Sequence, residues 1–276
     1  ADWVAFTSAV SLGQEGDPDV WAAALGALHL VDLIVPEADR AAFQEFVRGL
    51  VGPAFARLGW APAPGEPQRD GTARARLISA LGILGNDPGV QAEATRRHAS
   101  YLSDHSGLSP DVLSAAVNVM VASGSTSGYE AARQAFLQAA TPQDQVRYLN
   151  ALGASRDVNL LAETLEMCLT SDVRSQDAPY LIATILASRV GSAMTWSWMK
   201  QHWQALIERF PQNTLIRMLE GIAGVTDPAL AMDVHVFLAS HPLPIGGPRV
   251  AQLEERMDIT VALAARIGST VADALR

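Results

Sequence analysis

Apolar positions along this chain step by three and four. Val158, Leu161, Leu165 and Cys168 form one series, and Trp196, Met199, Trp203, Leu206 and Phe210 form another. That spacing puts a stripe on one face of an α-helix, where a strand would alternate at every second position. Each stripe is expected to face a core. Polar residues mark the starts: Asp17-Pro18, Ser109-Pro110, Thr141-Pro142 and Asp227-Pro228 each set a capping side chain before a proline suited to the first helical position. From Thr141 onward, helix starts are expected near Thr141, Ser155, Ser175, Gly191, Gln212, Asp227 and Gly246. Helix pairs then recur about every 35 residues, within the range of helical repeats.

Two stretches cannot continue a helix, Trp60 to Gly71 (WAPAPGEPQRDG) and Pro242 to Pro248 (PLPIGGP), and are expected to be surface loops. The run Ser123 to Gly128 reads as a turn, and the last helix, from about Gln252 to Ala274, as the cap of the array. The expected architecture is all-α, an α-solenoid of helical repeats forming a single domain over residues 1–276. Composition agrees: Ala and Leu are abundant and aromatics make up only 6%, material for close-packed helices rather than sheets.

The net charge of -9 is spread along the chain and leaves no concentrated basic face, so no nucleic-acid partner is expected. Lys200 is the only lysine; a contact to a carboxylate would therefore be made by an arginine fork, and Lys200 alone is available for a Schiff base. Cys168 is the single cysteine, which forbids an internal disulfide or a cysteine zinc cluster and suggests a reducing, cytoplasmic location. The apolar run Leu25 to Val35 is interrupted by His29 and Asp32 and falls short of the roughly 20 residues a membrane span needs. No membrane partner is expected. The chain opens at Ala1-Asp2-Trp3, with no initiating Met and no basic leader, which suggests a piece of a longer protein.

Catalytic motifs are absent. A zinc peptidase helix needs His-Glu-x-x-His, because a four-residue step brings two imidazoles to one face beside a glutamate; no such motif occurs. His235 and His241 are six apart and point to different sides of a helix, while His98 and His105 straddle an expected helix end, so surface or cap positions are expected for them. Neither a Walker A loop nor G-x-G-x-x-G is present. Gly124-Ser125-Thr126-Ser127-Gly128 has the outline of a nucleophile elbow, but Thr126 stands at its centre and no strand precedes it. Cys168 sits in an apolar stripe, the place of an inert core thiol. Trp196 and Trp203 share a core stripe, and Trp198 falls on the other side, either exposed in a groove or covered by the next helix. No catalytic residue, metal ligand or cofactor is assigned to this chain.

Between Thr141 and Phe210 a set of short motifs occurs in order: Ala151-Leu152-Gly153, then Val173-Arg174 with Gln176-Asp177, Val190-Gly191, and Trp196, Trp198 and Trp203. Upstream stand Asp19-Val20-Trp21, Leu58-Gly59-Trp60, Arg74, Arg76-Leu77 and Leu81-Gly82; downstream, Asp233 to Phe237 and the long last helix. Taken together they resemble the C-terminal, ERAP1-like domain of the M1 family of zinc aminopeptidases, across essentially the whole chain. The resemblance implies a HEAT-like superhelix that closes over a peptidase active site, shapes an internal chamber and contacts the distal part of a peptide substrate. It also implies that zinc is held by a catalytic domain of the same polypeptide, outside this chain. Some peptide-trimming members hold the substrate's C-terminal carboxylate with a basic residue near the turn before Val-Gly, where this chain has Ala187 and, two residues later, Arg189.

Arg189 and Arg217 are the candidate substrate-binding pair, since a guanidinium grips a carboxylate with two parallel hydrogen bonds. The competing reading puts Arg189 at a helix C-terminus, where a cation is favoured by the dipole. Gln176 and Asp177 are expected to cap the helix starting near Ser175. The leading expectation is a non-catalytic aminopeptidase domain, inactive alone; the alternative is a free-standing α-solenoid scaffold that binds a protein partner.

Overall fold

The computed structural model describes residues 12–243 and 246–275, and all regular structure among them is helical. Ala1-Asp2-Trp3 and the centre of the Pro242 to Pro248 stretch lie outside the described residues. Contacts divide the chain into two compact units, residues 1–132 with 267–276, and residues 133–266.

The first unit contains α1 (Pro18–Ile34), α2 (Arg40–Leu58), α3 (Gln68–Ser79), α4 (Pro88–Asp104) and α5 (Pro110–Ala122), followed by α6 (Thr126–Leu137), which runs across the boundary. Helix α3 packs against both α1 and α5, and α4 lies on α5. Trp21, Leu28, Phe43, Val47, Leu77, Ile78 and Val117 are fully buried among these helices. Two motifs of this unit prove to be a single contact. The helix α2 ends at Gly59, whose φ of 59° suits a residue without Cβ. The Arg74 side chain, 2% exposed, donates to the carbonyls of Leu58 (3.1 Å) and Gly59 (3.0 Å) and to the Glu66 carboxylate (2.5 Å). One guanidinium thus closes a helix end and holds the following loop; its hydrogen bond in turn keeps the Glu66 carboxyl below its ordinary pKa.

After α3 the backbone widens into a π turn over Ala80–Leu84, with Gly85 N–H reaching back to the Ala80 carbonyl at 2.8 Å. Gly82 lies against α5 here: a Cβ at this position would stand 2.4 Å from Val119 Cγ1. Only glycine lets the turn approach so closely.

The second unit contains α7 (Pro142–Leu152), α8 (Val158–Met167), α9 (Ala178–Ala187), α10 (Ser192–Gln201), α11 (Trp203–Arg209), α12 (Gln212–Met218), α13 (Pro228–Ser240) and most of α14 (Gly247–Leu275). With α10 and the short α11 counted together, alternate starts, Pro142 to Ala178, Val158 to Ser192, Ala178 to Gln212 and Ser192 to Pro228, keep the expected interval. At its aromatic centre Phe237 meets the rings of Trp196 (5.5 Å) and Trp203 (5.1 Å) edge to face. Asp233, one turn earlier on α13, accepts from Trp196 Nε1 at 2.9 Å and from Lys200 Nζ at 2.5 Å. Those donors, Lys200 foremost, lower the pKa of the Asp233 carboxyl.

All four expected caps form, with Asp17, Ser109, Thr141 and Asp227 each accepting from a first-turn amide. Asp87-Pro88, not picked out from the sequence, makes a fifth. Several expectations are corrected. The Trp196 to Phe210 stripe is broken at His202, whose φ of -106° and ψ of 12° leave the helical region, so α10 and α11 are separate. Val158 opens its helix and stays 47% exposed, although Leu161, Leu165 and Cys168 are buried. Asp177 occupies the cap position of α9, which starts three residues later than expected, but its side chain makes no cap hydrogen bond and instead accepts from Arg174 Nε at 2.6 Å. For Trp198, where two alternatives stood open, the buried one holds, its indole N–H on Glu166 Oε1 at 2.7 Å. The first loop ends at Pro67, the Ser123 to Gly128 turn is already helical from Thr126, and α14 begins at Gly247 rather than Gln252.

Gly82→Ala is expected to destabilise the protein by about 1–3 kcal/mol through overpacking against Val119. Adding Val119→Ala should recover part of the loss, as read by urea denaturation; an additive loss in the double variant would contradict the contact.

Candidate functional site

Arg189 lies exposed in the turn that follows α9. Arg217 lies on α12, which packs against α9. Its side chain is 45% exposed and donates to Glu220 Oε1 at 2.7 Å, and Glu220 also receives Arg249 at 3.4 Å. The hydrogen bond to Glu220 raises the Arg217 pKa further, so the guanidinium stays charged. A substrate carboxylate at Arg217 would compete with Glu220 for the same fork.

Cys168 is fully buried, and burial pushes its thiol up to about 12. A nucleophile needs the thiolate, so this sulfur is inert at neutral pH. The histidines divide by environment. His98, expected at a surface or cap, is instead 2% exposed inside α4, and desolvation lowers it to about 4. His105 and His241 end α4 and α13 as cap residues. His235 bridges α13 to α14, with Nδ1 2.9 Å from Glu254 Oε1 and Nε2 2.9 Å from Asp258 Oδ1. The Asp258 hydrogen bond is the largest of the effects that raise its pKa. Among the described residues no cluster of His, Cys, Asp or Glu is suited to hold a metal ion.

One concavity belongs to the first unit. A cleft of about 550 Å³ lies along α1, α3 and α5. Its floor is apolar and small, formed by Leu25, Ala80 and Ala115, and Gly26 leaves one wall open because a Cβ there would meet nothing within 4 Å. Polar groups frame it. Thr72 donates to Asp111 Oδ2 at 3.3 Å, and one turn along α3 Arg76 uses Nη1 on the Pro18 carbonyl. His29, Ser79 and Asn118 also line the cleft. Desolvation lowers the His29 pKa, and the Asp32 carboxylate pulls the other way. The sequence reading did not find this site. Its signal was there in the rows Ala22, Gly26, His29 and Thr72, Arg76, Ser79, where small and polar residues share one face at helical spacing.

The described residues thus form an all-helical fold with a buried thiol and an open cleft. The chain belongs to the ERAP1-like C-terminal domain family, whose model matches residues 1–259. It is 31% identical over 232 residues to aminopeptidase M1-B of Oryza sativa subsp. japonica, a stretch covering 82% of this chain and 26% of that protein. It is also 29% identical over 225 residues to aminopeptidase M1 of Arabidopsis thaliana, covering 78% and 25% respectively. With aminopeptidase N of Lactococcus lactis subsp. lactis it shares 24% identity over 170 residues. The chain thus spans about a quarter of the length of the plant relatives. No described helix is long and apolar enough to cross a membrane.

Opposite pH dependences follow from the buried His98 and the partly exposed His235. His235 has a raised folded pKa, so its contribution is full below the unfolded value near 6.5 and fades as pH rises through the folded value. His98 has a lowered one, so stability is lost as pH falls from about 6.5 towards about 4. In melting curves from pH 4 to 8, His98→Leu should flatten the acid limb, and His235→Asn should remove the gain on acidification from pH 8 to 6. Unchanged profiles in both variants would refute this assignment. The Cys168 thiol should react with a thiol reagent only after unfolding; rapid labelling of the native chain would show it to be accessible.

Proposed function

We propose that this chain is the non-catalytic C-terminal domain of an M1 zinc aminopeptidase, in which it caps the active-site chamber and helps bind the peptide substrate. The observation that carries this reading is the family match over residues 1–259, joined to relatives named aminopeptidases that are about four times longer than the matched region. The donor set fits the division of labour: His-Glu-x-x-His is missing from the sequence, and the described residues offer no metal cluster. Zinc, in this reading, is held by the catalytic domain of the same polypeptide and supplies the Lewis acid of peptide hydrolysis there.

The helical units form a HEAT-like superhelix on this reading, working in the cytoplasm. The superhelix is supported by the regular interval of helix starts in the second unit. Arg189 and Arg217 bind the distal carboxylate of longer peptides, Arg217 by exchanging Glu220 for the ligand. A free-standing scaffold gains no support from the comparisons, since the named relatives are all aminopeptidases.

A panel of aminoacyl fluorogenic substrates, tried on this chain and on the full-length product of its gene, tests the assignment. Activity confined to the full-length protein is expected, and activity of the chain alone would overturn it. In the full-length enzyme, Arg189→Ala with Arg217→Ala should raise KM for long peptides several-fold more than for dipeptide-like substrates. Equal effects on both would remove the carboxylate-binding role.

A further inference from the structure

We infer that the cleft along α1, α3 and α5 is a binding site for a free α-amino acid, with Arg76 and Asp111 holding its two charged groups. The site stands on the cleft's own groups, all of them in the first unit, whereas Arg189 and Arg217 belong to the second.

The charges carry the argument first. Arg76 engages the Pro18 carbonyl through Nη1, and the nearby Asp19 carboxylate, 3.9 Å away, is 94% exposed to water. Its Nε and Nη2 make no hydrogen bond among the described residues. Asp111, which lines the cleft, accepts from Thr72 through Oδ2, and its Oδ1 makes no hydrogen bond among the described residues. Thr72 lies one helical turn before Arg76 on the same face of α3, so Asp111, bonded to Thr72, lines the cleft about one helical turn from Arg76. A ligand fitting both must carry an anion and a cation close together. An α-amino acid has this form, its carboxylate and ammonium sharing one carbon. A simple anion would meet Asp111 unfavourably and a simple cation would meet Arg76, so the pair selects against either alone.

The remaining lining accounts for the side chain. From Arg76 the cleft runs over Leu25, Ala80 and Ala115, all buried, towards His29, Ser79 and Asn118. An aliphatic or aromatic side chain laid on that floor would lose its contact with water there. At about 550 Å³ the space falls within the range of small-ligand pockets. Gly26 keeps it open: a side chain here would project into free volume without touching its neighbours. If the parent protein is an aminopeptidase, the ligand is of the class that its reaction releases.

Calorimetric titration and melting curves of the chain with L-leucine and L-phenylalanine test the assignment, with L-leucinamide and N-acetyl-L-leucine as single-charge controls. Saturable binding of the free amino acids is expected, with both controls weaker by about tenfold or more, since each loses one charge-assisted contact. Asp111→Asn should weaken binding by a similar factor. Gly26→Leu should abolish binding while leaving the melting temperature equal or higher, because leucine replaces glycine inside a helix. Absence of saturable binding to the parent chain at concentrations on the order of 10 mM would overturn the proposal. So would equal binding of the single-charge controls, or unimpaired binding in a folded Gly26→Leu variant. None of these outcomes depends on peptidase activity.

Discussion

A helix leaves its first four amides and last four carbonyls without partners inside the helix, and a chain of many short helices multiplies that cost. Here five of the amino ends are closed locally, by Asp17, Asp87, Ser109, Thr141 and Asp227 with a proline behind each. The carboxyl ends are closed from elsewhere in the fold. Arg209 donates to the carbonyls of Cys168, Thr170 and Val173, Arg74 to Leu58 and Gly59, and Arg48 to Gly85 at 2.6 Å. A lysine has no rigid fork with which to reach several carbonyls at once. The almost complete replacement of lysine by arginine in this chain has a structural reading in these contacts, beyond any substrate contact.

The same contacts explain why separated motifs travel together. The Gly59 turn and Arg74 are one interaction. Val173 meets Arg209 through its carbonyl, and Arg174 meets Asp177 through its side chain. Trp196 and Trp203 close on Phe237, Asp233 receives the Trp196 indole, and Glu166 receives that of Trp198. Two indoles carry N–H groups that need acceptors when buried; each finds a carboxylate on a neighbouring helix. Mutual satisfaction of buried polar groups joins these residues, and such contacts need no catalytic duty.

Function is concentrated in what the packing leaves open. Cys168, a potential nucleophile by composition, is neutralised by burial. Arg217 is partnered by Glu220 and so is available to a ligand only by exchange. The cleft of the first unit is different, because small side chains on three helices and a glycine on α1 keep its walls apart. The π turn at Ala80–Leu84 closes its floor from below, with Gly82 set directly against Val119.

Local chemistry determined the helical class, the capped starts, the buried apolar stripes and the core position of Cys168, since each depends on residues within a few positions of one another. Tertiary structure decided what depends on distant partners. The break at His202 is hidden in a stripe whose periodicity runs straight through it. Asp177 turned from capping to Arg174, and Trp198 turned inward because Glu166 waits on another helix. His98 became a buried neutral imidazole for the same reason, its surroundings being supplied by the fold rather than by α4. Of the candidate sites, the arginines were legible because a guanidinium announces its chemistry by type. The cleft was not, because a cavity is made by the absence of side chains on three separate helices, and only the packing brings those absences together.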